Sequence, residues 1–190
     1  MDALLPQAYL IGLIVLLGGS AVLVGRQILR VRRDELTLAR LEGTAKTDRA
    51  QGAKGAKGGE APAVADSATL YELASVQLRK RLYDQADDSL RKALRLAERE
   101  AAPAEARALI ENALGFCLAA RGNYKVAIRH YRAALEAKAD YPVALNNLAY
   151  ALEKQLKPEE ARSAYEQALA IDGTNRTARK RLKRLERNGV

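Results

Sequence analysis

Hydrophobic and polar positions divide the chain into four regimes. Ala3 to Gly25 is 23 residues without a charged side chain. Its most apolar part, Gln7 to Gly25, would be roughly 28 Å long as a helix, matching a hydrocarbon core of about 30 Å. The pattern predicts a transmembrane helix over 3–25, with Pro6 near its start and Tyr9 at headgroup level. Over 26–42, Ile28, Leu29, Leu36 and Leu41 are interspersed with charges, and Arg30 and Asp34 are spaced i,i+4. That spacing predicts a juxtamembrane continuation of the helix. Residues 43–66 contain five glycines and no bulky apolar side chain except Val64, so they cannot bury a core. They read as a flexible linker reaching roughly 25–30 Å by random-coil scaling. From Ser67 onward, apolar positions return at helical spacing and predict a run of packed helices.

That run repeats. Arg81-Leu82-Tyr83-Asp84-Gln85-Ala86, Gly122-Asn123-Tyr124-Lys125-Val126-Ala127 and Leu156-Lys157-Pro158-Glu159-Glu160-Ala161 align with one another. The second and third phrases are 34 residues apart and the first two are 41 apart, which implies seven extra residues near 101–107. With units 67–100, 108–141 and 142–175, position eight is Ala74, Gly115 and Ala149, and position twenty is Ala86, Ala127 and Ala161. Position twenty-four is Leu90, Tyr131 and Tyr165. Closely crossing helices need small residues at the crossing and large ones beside it. The period and these positions resemble the tetratricopeptide repeat (TPR), two helices per unit. Two departures stand out: Glu111 replaces the leucine of position four (Leu70, Leu145), and Gln77 that of position eleven (Leu118, Leu152). A final helix over 176–187, with Ala178, Leu182 and Leu185 on one stripe, should cap the open end, and 176–190 reads as a basic capping helix and tail. The expected fold is therefore all-α: a membrane helix, a linker, a three-repeat solenoid and a cap.

The resemblance to TPR proteins implies a concave surface lined by the first helix of each pair. The positions it places there are Tyr71, Ser75 and Leu78; Leu109, Asn112 and Phe116; and Val143, Asn146, Tyr150 and Glu153. Aromatic anchors beside amides suit an extended segment or a helix of a protein partner. TPR domains that grip chaperone C-terminal carboxylates use a clamp of Lys, Arg and Asn. Its positions here are Tyr71, Ser75, Ala113, Val143 and Asn147, with no cation among them, so capture of such a tail is not expected.

The net charge of +9 changes this picture little, because residues 67–175 carry only +1 of it and residues 176–190 carry +6. Arg176, Arg179, Lys180, Arg181, Lys183 and Arg184 are candidates for contact with anionic lipid or an acidic partner. Nucleic acid is a poor fit, because the tail has no aromatic for stacking. Arg26, Arg30, Arg32 and Arg33 follow the uncharged segment, so the positive-inside rule puts the repeats on the cytosolic or stromal side. One Cys and one His cannot build a zinc site, and a Cys/His nucleophile pair would have to rest on Cys117 and His130. Cys117 reads as a small core residue and His130 as a solvated side chain. No catalytic residue, cofactor or metal is expected.

The order of parts also resembles a particular family. The phrases that carry this are Leu82-Tyr83-Asp84-Gln85-Ala86, Asn112-Ala113-Leu114-Gly115, Ala127-Ile128-Arg129-His130-Tyr131 and Val143-Ala144-Leu145-Asn146-Asn147-Leu148. With one N-terminal span and three repeats, they resemble the TPR photosystem I assembly proteins of cyanobacteria and plastids. That resemblance implies a thylakoid protein holding photosystem I subunits or other assembly factors, with no chemistry of its own. The alternatives are a bacterial inner-membrane scaffold for another envelope complex, and a tethered RNA or anionic-lipid binder acting through the basic tail.

Overall fold

The computed structural model describes residues 32–43, 66–187 and 189. The expected span over 3–25 and most of the 43–66 linker lie outside them. Among the described residues no helix is long and apolar enough to cross a membrane.

Residues 32–43 form a helical stretch, α1, whose Thr37 hydroxyl donates back to the Arg33 carbonyl at 2.7 Å. The repeat region is built of α2 (Ser67–Arg79), α3 (Tyr83–Arg99), α4 (Ala104–Ala120), α5 (Tyr124–Ala137), α6 (Pro142–Lys154), α7 (Pro158–Ile171) and α8 (Arg176–Arg187). Each helix packs on the next, and α4 also touches both α2 and α6. This is a chain of helical hairpins in which the first helices, α2, α4 and α6, touch one another in series. No strand occurs among the described residues.

The ends of these helices are written locally. Asp66 caps α2, its carboxylate accepting the Thr69 N–H at 2.7 Å, and hydrogen bonding to the Thr69 side chain, then to that N–H, holds its pKa below the usual value. Asn123 caps α5 through the Val126 N–H, and Pro142 and Pro158 open α6 and α7 at the position where a missing N–H costs nothing. Asn175 caps α8, accepting the Ala178 N–H at 3.1 Å. The turn inside every hairpin uses one left-handed residue at the same repeat position: Arg81 (φ 60°), Gly122 (φ 82°) and Leu156 (φ 57°).

Packing follows the alternation of small and large side chains. Ala86, Ala127 and Ala161 are fully buried, as are Leu90 and Tyr165, with Tyr131 nearly so. Position eight shows how tight the crossing is. A Cβ on Gly115 would lie 2.5 Å from Cε1 of Tyr131, closer than any real contact. Gly115 is the space the Tyr131 ring occupies.

The seven extra residues do not form a loop. α3 has 17 residues where α5 and α7 have 14, and α4 has 17 where α2 and α6 have 13. The three and four additional residues account for the insertion. The connector between α3 and α4 keeps the same four-residue length as the later ones. The first hairpin junction is thus extended by about a turn in both helices, and Glu100 there reaches back to bond the Ser67 hydroxyl at 2.6 Å.

Candidate protein-binding groove

The inner face is formed by α2, α4 and α6, with α8 packed after α7 in the place of a fourth first helix. The structure divides most of the ten expected groove residues into two groups.

Three are apolar and open. Leu109 is 40% exposed, Phe116 46% and Val143 53%, and all project from α4 and α6. Leaving large apolar side chains in water is unfavourable unless something covers them. Half-buried Leu78 lies on α2.

Five others, Ser75, Asn112, Asn146, Tyr150 and Glu153, are tied into the protein itself. Ser75 donates to the Tyr71 carbonyl one turn back at 2.8 Å. Asn112 donates to the Tyr141 hydroxyl at 3.2 Å and accepts from Asn147 at 2.9 Å, so these amides join α4 to α6. Burial raises the pKa of Tyr141, with Tyr71 close by. One repeat on, Asn146 donates to the Asn175 side chain at 3.2 Å, while its own carbonyl oxygen is buried without a partner. The Tyr150 ring takes Tyr124 edge-on at 6.3 Å, with Arg181 5.0 Å and Lys154 5.5 Å from its centroid. Glu153 accepts the Tyr165 hydroxyl at 2.7 Å, bonds Arg184, and lies 3.7 Å from Arg181. Burial, then that bond to Glu153, pushes the Tyr165 pKa far up.

Tyr141 and Asn175 are not among the expected groove residues, yet each ends a repeat and anchors the amide at position five of that same repeat. They are 34 residues apart, each just ahead of a first helix. That spacing was the available signal.

The basic residues divide as well. Arg181 and Arg184 are spent on Tyr150 and Glu153, and Arg179 donates to the Gly173 carbonyl at 2.6 Å. Arg176, Lys180 and Lys183 are exposed. Arg32 and Arg33 are exposed on α1, and Arg26 and Arg30 lie outside the described residues.

His130 is not solvated. Its Nδ1 lies 2.7 Å from Glu111 Oε2, and the two side chains are 20% and 16% exposed. The acid that breaks the position-four pattern on α4 is matched by this histidine on α5. Where the other repeats have leucine at position four, the residue at the histidine's place is Ser89 or Ala164. Cys117 is fully buried, donates to the Tyr83 carbonyl at 3.0 Å, and has its pKa pushed up to about 11 by burial. An inert thiol is the expected consequence. Among the described residues, no three His, Cys, Asp or Glu side chains are grouped to hold a metal ion. The face thus sets exposed apolar side chains beside a floor of cross-bonded amides.

The chain belongs to the tetratricopeptide repeat family, whose model matches residues 66–140 and 107–174. Within that class it belongs with the proteins named ycf37. It is 31% identical to that of Guillardia theta over 182 residues, covering 96% of this chain and 93% of the relative. It is 33% identical to that of Cyanophora paradoxa over 60% of this chain and 64% of the relative. The Arabidopsis thaliana chloroplastic TPR protein PYG7 is 31% identical over 92% of this chain, and the match spans 52% of its own length. Among solved structures, the first TPR of Spaghetti (RPAP3), bound to an HSP90 peptide, has a TM-score of 0.59. It is 20% identical and covers 65% of this chain and 92% of that one. This last likeness concerns the fold alone.

Proposed function

We propose that this protein is a membrane-anchored scaffold that holds photosystem I subunits or assembly factors on the inner face of its repeats. One observation carries the binding role: Leu109, Phe116 and Val143 stand exposed on α4 and α6, next to amides already fixed by one another. Such a surface offers apolar anchors without first having to order them. The place of work is supported by the family, one relative of which is named chloroplastic. The anchor is supported by the uncharged segment 3–25 and the arginines after it. The repeats then face the stroma or cytosol, and the partner is a protein segment rather than a chaperone tail, since Asn147 is engaged with Asn112.

The test is affinity purification of the tagged protein from its native membranes, beside a Leu109→Ala/Phe116→Ala/Val143→Ala variant. These side chains lie outside the core, so the variant folds. Photosystem I intermediates that accompany wild type and vanish with the variant support both groove and role. Recovery of another membrane complex overturns the photosystem role. Unchanged recovery with the variant overturns the groove.

A further inference from the structure

Once the internal uses of α8 are removed, its remaining charge has a shape. Ala178 and Leu185 are buried and Leu182 is half-buried, which fixes the face turned to the repeats. Arg181 and Arg184 flank that face and are held by Tyr150 and Glu153. Arg176, Lys180, Lys183 and Arg187 are all exposed. Their spacing of four, three and four residues puts them in one line directly opposite the buried stripe, about 17 Å long at the helical rise. Glu186 falls a quarter-turn away by the same count. The line contains no apolar or aromatic residue, and none of its four cations has an ion pair among the described residues.

We propose that this stripe docks the outer end of the repeats against an anionic lipid surface. The composition decides between lipid and protein. Protein interfaces draw their affinity from buried aromatic and apolar anchors and are poor in lysine. A charged bilayer needs only charge, and attracts each nearby Lys or Arg by up to about fivefold in equilibrium constant. A straight, exposed, purely cationic line fits the second and wastes itself on the first. The inference rests on the anchored reading only for keeping the domain within reach of a bilayer. Docking would turn the groove to a defined orientation.

The test uses the full chain in vesicles of phosphatidylcholine, with or without phosphatidylglycerol. A donor fluorophore on Thr177→Cys, in a Cys117→Ala background, reports energy transfer to a headgroup acceptor. Transfer is expected to rise with phosphatidylglycerol and to fall at high salt. It should be lost in the Arg176→Gln/Lys180→Gln/Lys183→Gln/Arg187→Gln variant, whose docking equilibrium drops by up to a few hundredfold. The Arg176→Lys/Arg187→Lys variant should keep it, because lipid attraction reads charge rather than the guanidinium fork. Transfer indifferent to lipid charge, or unchanged in the glutamine variant, overturns the proposal and leaves the stripe to an acidic protein. Alkaline carbonate extraction reports the anchor separately. Release of the chain overturns the anchored reading, while the same transfer, measured on chain added to preformed vesicles, still decides the stripe.

Discussion

At the scale of single residues, the repeat turn exposes an avoidable cost. Leu156 holds a left-handed conformation while 88% exposed, and only Gly122 meets the same geometry without a Cβ. An L-residue there costs about 1 kcal/mol relative to glycine. Leu156→Gly should therefore raise stability by up to about 1 kcal/mol in urea unfolding, less the added freedom of the unfolded chain. An unchanged or lower midpoint would count against this account of the turn. Asp66 offers a pH-dependent case. Its bond to Thr69 lowers its folded pKa, so its contribution is present above the unfolded value near 4 and fades as pH falls through the folded one. Asp66→Ala should cost about 1 kcal/mol at neutral pH. Thermal melts should show that difference shrinking below about pH 4.

At the scale of elements, the crossing of α4 and α5 depends on one exchange of volume. Tyr131 fills the site a side chain at Gly115 would need, whereas the first hairpin pairs Ala74 with Leu90. Gly115→Ala should overpack, destabilising by about 1–3 kcal/mol despite the better helix propensity of alanine. Adding Tyr131→Leu recreates the first hairpin's pairing and should recover most of that loss; a strictly additive double variant would refute the exchange. This much was legible in the sequence, because small-large alternation at a fixed period is a direct image of helix crossing. The insertion was legible in length but not in form. Seven residues near 101–107, four of them Ala, extend two helices as readily as they make a loop, and only the lengths of α3 and α4 show which. The expected groove residues fall on α2, α4 and α6, the first helices of their hairpins, yet their freedom was not visible. Tyr150 and Glu153 look available until α8 lays Arg181 and Arg184 over them. Such contacts join residues about 31 apart, beyond what local pattern encodes. The His130–Glu111 pair was hidden for the same reason, since each partner alone reads as a surface residue or a flaw in the repeat.

At the scale of the whole repeat domain, each hairpin packs on its neighbours among the described residues, with α8 closing the series on α7. Stability in such an array is close to a sum of repeat and interface terms, so its ends open before its middle. The cap should then govern the third hairpin and leave the first untouched. Leu185 is 6% exposed, and the Arg181 and Arg184 contacts to α6 depend on α8 staying docked. Leu185→Ala removes the last apolar anchor at a cost near the lower end of about 2–5 kcal/mol, because an end helix can relax. Freed of α8, Glu153 and the Tyr165 hydroxyl regain water, and α6 and α7 lose the partner that seals them. Hydrogen exchange should show protection in α6 and α7 falling while α2 and α3 keep theirs. An equal loss in every helix would instead make the repeats one cooperative block. The distinction bears on function. If only the third hairpin opens, Val143 and its side of the groove soften while Leu109 and Phe116 on α4 stay set, so undocking the cap would loosen one end of the binding face and leave the other rigid.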